Sequence, residues 1–165
     1  MKKFDANIRC MHPEEYSLLR EFLYQAIFLP KGVRPPPRSV VDLPELQIYI
    51  ADFGTRPGDY CMVAEVEGTV VGAAWSRIME DYGHIDDSTP SLAISLLPQH
   101  RGLGIGTQLI DSLLLLLREN GYLRASLSVQ RENPALRLYQ RMGFQIFEEK
   151  DTEYLMLWHI TPVIQ

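Results

Sequence analysis

The segment Arg101-Gly102-Leu103-Gly104-Ile105-Gly106-Thr107 constrains the fold of this chain more than any other stretch. It lies between an apolar run of strand length, Leu92 to Leu97, and an apolar-periodic stretch of helix length, Thr107 to Asn120, which Gly121 closes. The turn therefore joins a strand to a helix start. Glycines let the backbone turn tightly and come close to a ligand. The helix start offers unpaired N–H groups and the positive end of the helix dipole. Together they suit a phosphate or pyrophosphate, to which Arg101 can add a charged donor. Glycines at such a turn also serve packing alone, so the turn by itself leaves both readings open.

The rest of the chain reads as alternating strands and helices. Ile8 to Met11 is a first strand. His12-Pro13-Glu14-Glu15 opens a helix with Pro and acids in its first turn, and Leu18, Leu19, Phe22, Leu23, Ala26 and Ile27 carry it toward Pro30. Pro35-Pro36-Pro37 stiffens the following loop, and a second helix is expected over Leu43 to Ala51. Tyr60 to Glu65 and Val70 to Ile78 form a hairpin about Glu67-Gly68. Leu123, Ala125, Leu127 and Val129 share one face of a strand. Asn133-Pro134 starts a helix that runs to Met142 and ends at Gly143, and Phe144 to Glu148 and Tyr154 to Trp158 are closing strands. The order is β-α-α-β-β-β-α-β-α-β-β, an α/β or α+β class with one mixed sheet. A chain of 165 residues suits one domain over 1–165.

Charge and composition narrow the function. A net charge of −5 without a long basic run argues against non-specific nucleic-acid binding and fits a cationic partner. Cys10 and Cys61 have no paired spacing, and His12, His84, His100 and His159 show no ligand spacing with them, so neither a disulfide framework nor a metal site is expected. The most apolar stretch, Leu113 to Leu117, is bracketed by Asp111 and Arg118 and falls far short of the roughly 20 residues of a membrane span. Met1 to Asp5 turns polar at once, so no leader, no membrane and a cytoplasmic location are expected.

Three kinds of phosphate site use such a turn. A Walker A loop needs Gly-Lys-Ser/Thr, which is absent. A dinucleotide fingerprint begins at Gly102 and Gly104, but Thr107 takes its last place, and Val129-Gln130-Arg131 stands where its acid is needed. The spacing Arg101-x-x-Gly104-x-Gly106 resembles the coenzyme A pyrophosphate loop of the GNAT family of N-acetyltransferases. Leu92 to Pro98 resembles that family's fourth strand. Asn133-Pro134-Ala135-Leu136-Arg137-Leu138-Tyr139-Gln140-Arg141-Met142-Gly143-Phe144 is similar to its second signature. The match is specific from Ser91 to Phe144; residues 1–58 carry only a compatible order of elements.

The resemblance implies a mostly antiparallel mixed sheet flanked by helices, and direct transfer of acetyl from acetyl-CoA to an amine, with no metal. It places the cofactor against Leu96, Leu97, Arg101, Gly102, Leu103, Gly104, Ile105, Gly106, Thr107, Asn133 and Tyr139, with an N–H near Leu96 or Leu97 holding the developing oxyanion. Tyr139 reads as a core aromatic by pattern and as the general acid by resemblance, since a phenol is protonated at neutral pH. Glu80 and Asp81 are candidate bases, followed in the same acidic loop by His84, Asp86 and Asp87; a water chain or Ser95 are alternatives. Cys61, in an apolar strand with no base beside it, is a poor acyl carrier. The region His12 to Gly58 is expected to wall the acceptor site, with Tyr24, Phe28, Tyr49 and Phe53 lining it; Trp75 and Arg77 face either the acceptor or, respectively, sheet packing and solvent. The acceptor stays open, as does a monomer or a homodimer. Alternatives are a degenerate acyl-CoA-binding regulatory module and an acyltransferase for a longer acyl-CoA.

Overall fold

The computed structural model describes residues 5–160. Seven strands form one sheet: β1 (Asn7–Cys10), β2 (Tyr60–Val66), β3 (Thr69–Arg77), β4 (Ser91–Leu96), β5 (Arg124–Gln130), β6 (Gln145–Glu149) and β7 (Glu153–His159). Their order across the sheet is β1-β2-β3-β4-β5-β7-β6. Every neighbouring pair is antiparallel except β4 and β5. The hairpin between β2 and β3 turns at Glu67 (φ 50°) and Gly68 (φ 81°), the two positive φ values that match the twist of a tight hairpin.

The parallel pair is the fault line of the sheet. Its register holds only Ser91 opposite Ser126, whereas β3 and β4 pair over six residues. Beyond Ser91 the two strands diverge and leave a cleft.

The 15-residue helix α3 (Ile105–Glu119) covers one face of the sheet. Ile105, Leu109, Ile110, Leu113, Leu114 and Leu117 recur at helical spacing and are buried against Ala74, Leu92, Ala125, Leu127 and Met156. The helix ends at Gly121 (φ 89°), where the N–H of Tyr122 closes on the carbonyl of Leu117. Helix α4 (Ala135–Arg141) ends the same way: Phe144 donates to the carbonyl of Tyr139 across Gly143 (φ 104°).

The other face is covered by α1 (Leu19–Gln25) and the short α2 (Pro44–Gln47), packed on Val63, Ala73 and Trp75. Here the segments differ from the helices expected over 12–29 and 43–51. Pro13–Leu18 is a 3-10 turn, α1 stops at Gln25, and α2 is a single turn. Side chains of β3, β4 and the glycine turn donate to backbone carbonyls of these segments. Ser95 Oγ donates to the carbonyl of Phe22 (2.6 Å), and Arg101 Nη2 to that of Gln25 (3.3 Å). Trp75 Nε1 donates to Tyr49 (3.1 Å), and Arg77 Nη1 to Ile48 (3.2 Å) and Ala51 (2.6 Å). Leu123 precedes β5 and is 57% exposed, so only Ala125, Leu127 and Val129 of the expected face are buried.

Candidate active site

The divergence of β4 from β5 opens a cleft of about 270 Å³. Its walls are Leu92 to Ile94 of β4, Leu127 to Gln130 of β5, the end of α1 with Ala26, Ile27 and Phe28, and Leu46 and Tyr49 from the α2 segment. Asn133, Tyr139, Asp81, Tyr82 and Glu153 complete it. Among the described residues, two carboxylates, three phenols and the polar side chains of Ser128, Gln130 and Asn133 thus meet an otherwise apolar lining.

The glycine turn adjoins the β4 wall of the cleft through Gly106, next to Ile94. Gly102 (φ 74°) and Gly104 (φ 84°) are left-handed, and a Cβ built on either meets nothing within 4 Å. Gly104 is the N-cap of α3 and no side chain caps the first N–H groups of the helix. Gly106 is buried, where a Cβ would touch Ile94 and Leu96 at 3.7 Å. Leu103 is exposed and Thr107 half-buried. Arg101 is exposed at the start of the turn. Its guanidinium ties the Leu96 carbonyl (3.2 Å) to Gln25 Oε1 (3.1 Å), because both lie beneath the turn.

Backbone geometry separates Leu96 from Leu97. The N–H of Leu97 donates to Val71 on β3 at 2.8 Å and is spent. Hydrogen-bonding direction alternates along an antiparallel strand, so Leu96, like Ile94, turns its N–H toward the β5 side, where the cleft opens.

Asn133 Oδ1 accepts from the N–H of Ala135 at 2.9 Å, which leaves its amide NH₂ for the cleft. Tyr139 is buried and packs edge-on to Phe144, with ring centroids 5.9 Å apart. Loss of water pushes its phenol up to about 12, so it stays protonated throughout the physiological range. The second motif is therefore a support. Trp158 Nε1 donates to the carbonyl of Met142 (2.8 Å) beneath Gly143, which holds the end of α4 and the Tyr139 ring above it.

On the other side stands Asp81. Its half-buried carboxyl accepts from Ser91 Oγ (2.9 Å) and from the Tyr49 phenol. Burial raises its proton affinity above that of an ordinary carboxylate, against the opposing pull of those two hydrogen bonds. Desolvation, with the nearby Asp81 and Glu153 charges, pushes the Tyr49 phenol upward as well. Glu80 is exposed and does not line the cleft. The remaining loop acids build the loop itself: Asp86 accepts from Thr89, Ser88 and Arg124, and His84 Nδ1 meets the Met79 carbonyl at 2.8 Å. Ser95 is turned away to α1, and Cys61 is a free, buried thiol whose proton affinity burial raises.

Of the expected acceptor-wall aromatics, Phe28 and Tyr49 reach the cleft. Tyr24 donates to the Pro36 carbonyl (2.6 Å) under the Arg38 guanidinium, and Phe53 is buried against Tyr16. Trp75 is core. Arg77 faces neither acceptor nor solvent: it is wholly buried, with Nε and Nη2 each 2.9 Å from the Asp59 carboxylate. Glu153 is the residue that sequence reasoning left without a role. It opens β7 opposite Gln130, and Ser128 Oγ donates to its Oε2 at 2.6 Å.

The family model described as Acetyltransferase (GNAT) family matches residues 22–144, well over half of the chain. The chain belongs to the GNAT family. This GNAT chain is 34% identical over 95 residues to the N-alpha-acetyltransferase of Sulfurisphaera tokodaii, a match covering 50% of the chain and 54% of that relative. The chain thus spans about half the length of this curated relative. Its fold is that of an N-acetyltransferase from Staphylococcus aureus Mu50 (TM-score 0.70, 20% identity, 95% of this chain and 99% of that one). It is equally that of the PaiA N-acetyltransferase from Thermoplasma acidophilum, solved in complex with coenzyme A (TM-score 0.70, 17% identity, 94% and 99%). Among the described residues of this GNAT domain, no helix is long and apolar enough to cross a membrane.

Proposed function

We propose that this protein transfers the acetyl group of acetyl-CoA directly to a primary amine held in the β4–β5 cleft. The observation that carries the reading is the juxtaposition of an uncapped, open helix start at Gly104 with a cleft lined by Tyr139 and Asn133. Those residues fit the cofactor. The N–H groups of the Gly102–Thr107 turn would hold its diphosphate, and the Asn133 amide its arm. When bound, it supplies an activated thioester. That the PaiA N-acetyltransferase carries coenzyme A on the same fold supports this choice of cosubstrate.

The chain's own groups then divide the work. Asp81 takes a proton from the ammonium, which leaves a neutral nitrogen able to attack the carbonyl carbon. The Leu96 N–H faces the oxygen on which negative charge develops. The C–N bond forms, the C–S bond breaks, and the Tyr139 hydroxyl donates to the departing sulfur. The nitrogen's second proton restores the Tyr139 hydroxyl, and Asp81 releases the first to solvent. A carboxyl of raised proton affinity is the better base near neutrality, which favours Asp81 over the exposed Glu80.

Screening an amine panel for thiol release from acetyl-CoA tests the transfer. Binding of acetyl-CoA without turnover of any amine would favour the regulatory-module reading instead; faster turnover with propionyl- or succinyl-CoA would favour a longer acyl group. Tyr139→Phe is expected to lower kcat about 10²-fold while the unfolding transition stays in place. Wild-type turnover removes Tyr139 as the acid.

Asp81→Asn is expected to lower kcat/KM by about 10²-fold. The base must be ionised, so the wild-type rate rises with pH through the Asp81 pKa, which lies above the ordinary value of about 3.9. Stability runs the other way. A carboxyl whose folded pKa is raised contributes fully below its unfolded pKa, and the contribution is lost as pH rises through the folded value. At pH 7 the Asn variant should therefore melt no lower than wild type. A loss of activity under about threefold would hand the proton to a water chain.

A further inference from the structure

We propose that the acceptor is a diamine-like cation: a primary amine that carries a second positive charge a few carbons away, which Glu153 holds. This rests on the acetyl-transfer reading above and names the substrate class of the same cleft.

Among the described residues, the cleft is lined by two carboxylates, Asp81 and Glu153, and by no Arg, Lys or His side chain. A carboxylate beside the attacking nitrogen is accounted for by proton transfer. A second one is not. It leaves the cleft negative even after Asp81 has taken up the proton of the reacting ammonium. The two acids sit on different elements: Asp81 follows β3 and Glu153 opens β7. Tyr49 lines the same cavity, and both carboxylates act on its phenol electrostatically.

Glu153 is held for this purpose. Ser128, itself part of the lining, donates to Oε2 at 2.6 Å and fixes the carboxylate beside Gln130. Among the described residues, Oε1 receives no hydrogen bond. The cations on the same rim are engaged elsewhere. Lys150 Nζ donates to the Tyr82 carbonyl (3.4 Å), and Arg131 donates to the Lys150 carbonyl (2.5 Å) and lies over the Tyr154 ring (4.5 Å). Apolar walls at Ala26, Phe28, Leu92 and Ile94 suit the methylene chain between two charges.

The step balances with one charge to spare. The proximal ammonium gives one proton to the Asp81 carboxylate and attacks as a neutral amine. The C–N bond replaces the C–S bond, the sulfur leaves as the thiol, and the distal ammonium keeps its proton and charge throughout. The product carries one amide and one ammonium.

The test compares 1,4-diaminobutane with 1-aminobutane, matched in chain and differing in the distal charge, with thiol release as the readout and acetyl-CoA binding measured by calorimetry. The wild-type protein is expected to show kcat/KM about tenfold or more higher for the diamine, as a partly buried ion pair predicts. Glu153→Gln keeps the shape and the Ser128 hydrogen bond, and it should bring that ratio close to one. Glu153→Asp, which retains the charge, should restore part of it. The ratio is insensitive to general damage, because both amines use the same catalytic groups. Equal kcat/KM for the two amines, or an unchanged ratio in Glu153→Gln, overturns the proposal and leaves acetyl transfer standing. Bound acetyl-CoA with no thiol release from these or a wider amine panel overturns the transfer reading itself.

Discussion

Gly104→Glu should abolish acetyl-CoA binding, with a loss of about 10³-fold or more in affinity by calorimetry. Gly104 has φ 84°, and the space where a Cβ would go is empty for 4 Å around. The glutamate side chain would therefore enter open space beside the uncapped start of α3, where its bulk and charge would oppose a diphosphate. The left-handed backbone adds about 1–2 kcal/mol of strain, too little to unfold a domain of this size. Two controls separate bulk and charge from strain. Gly104→Ala carries the same strain and should bind far better than the Glu variant. Acetyl-pantetheine, which lacks the diphosphate, should lose much less between wild type and Gly104→Glu than acetyl-CoA does. Unchanged affinity for acetyl-CoA would show that the diphosphate lies elsewhere.

Arg77→Ala should destabilise the fold by about 3–5 kcal/mol, the usual effect of removing one partner of a buried ion pair. Arg77 and Asp59 have side chains 0% and 1% exposed. Deleting the guanidinium leaves the Asp59 carboxylate buried, with only the N–H groups of Gly54 (2.9 Å) and Arg56 (3.2 Å) upon it. It also releases the carbonyls of Ile48 and Ala51, on either side of Tyr49. At about 2–4 °C per kcal/mol for a chain of this length, the melting point should fall by roughly 10 °C. Replacing both partners, Arg77→Met with Asp59→Leu, should recover much of the loss, because no charge is then left buried alone. A change below about 1 kcal/mol in urea titration would mean that water reaches the pair.

How much was legible in the sequence depended on how local its cause was. The hairpin, α3, the glycine turn and the end of α4 were all readable, because apolar periodicity and positive-φ glycines act within one turn or one strand. The helices expected over 12–29 and 43–51 are shorter in the structure, and their backbone is held by Ser95, Arg101, Trp75 and Arg77, residues 26 to 76 positions away, which no local pattern announces. Arg77 illustrates the difficulty: an arginine near a strand end reads as a surface charge until the fold brings Asp59 beside it.

The candidate site divides along the same line. From the residue pattern alone came the family and, as candidates, the glycine turn with Asn133 and Tyr139, since these positions lie in two short motifs. Only the tertiary structure placed Asp81 and not Glu80 in the cleft lining, left Leu96 and not Leu97 with an N–H turned toward the cleft, and brought Glu153 in from β7. Those outcomes follow from strand register and from the divergence of β4 and β5, and pairing between strands far apart in the chain has no signature in the residues on either one.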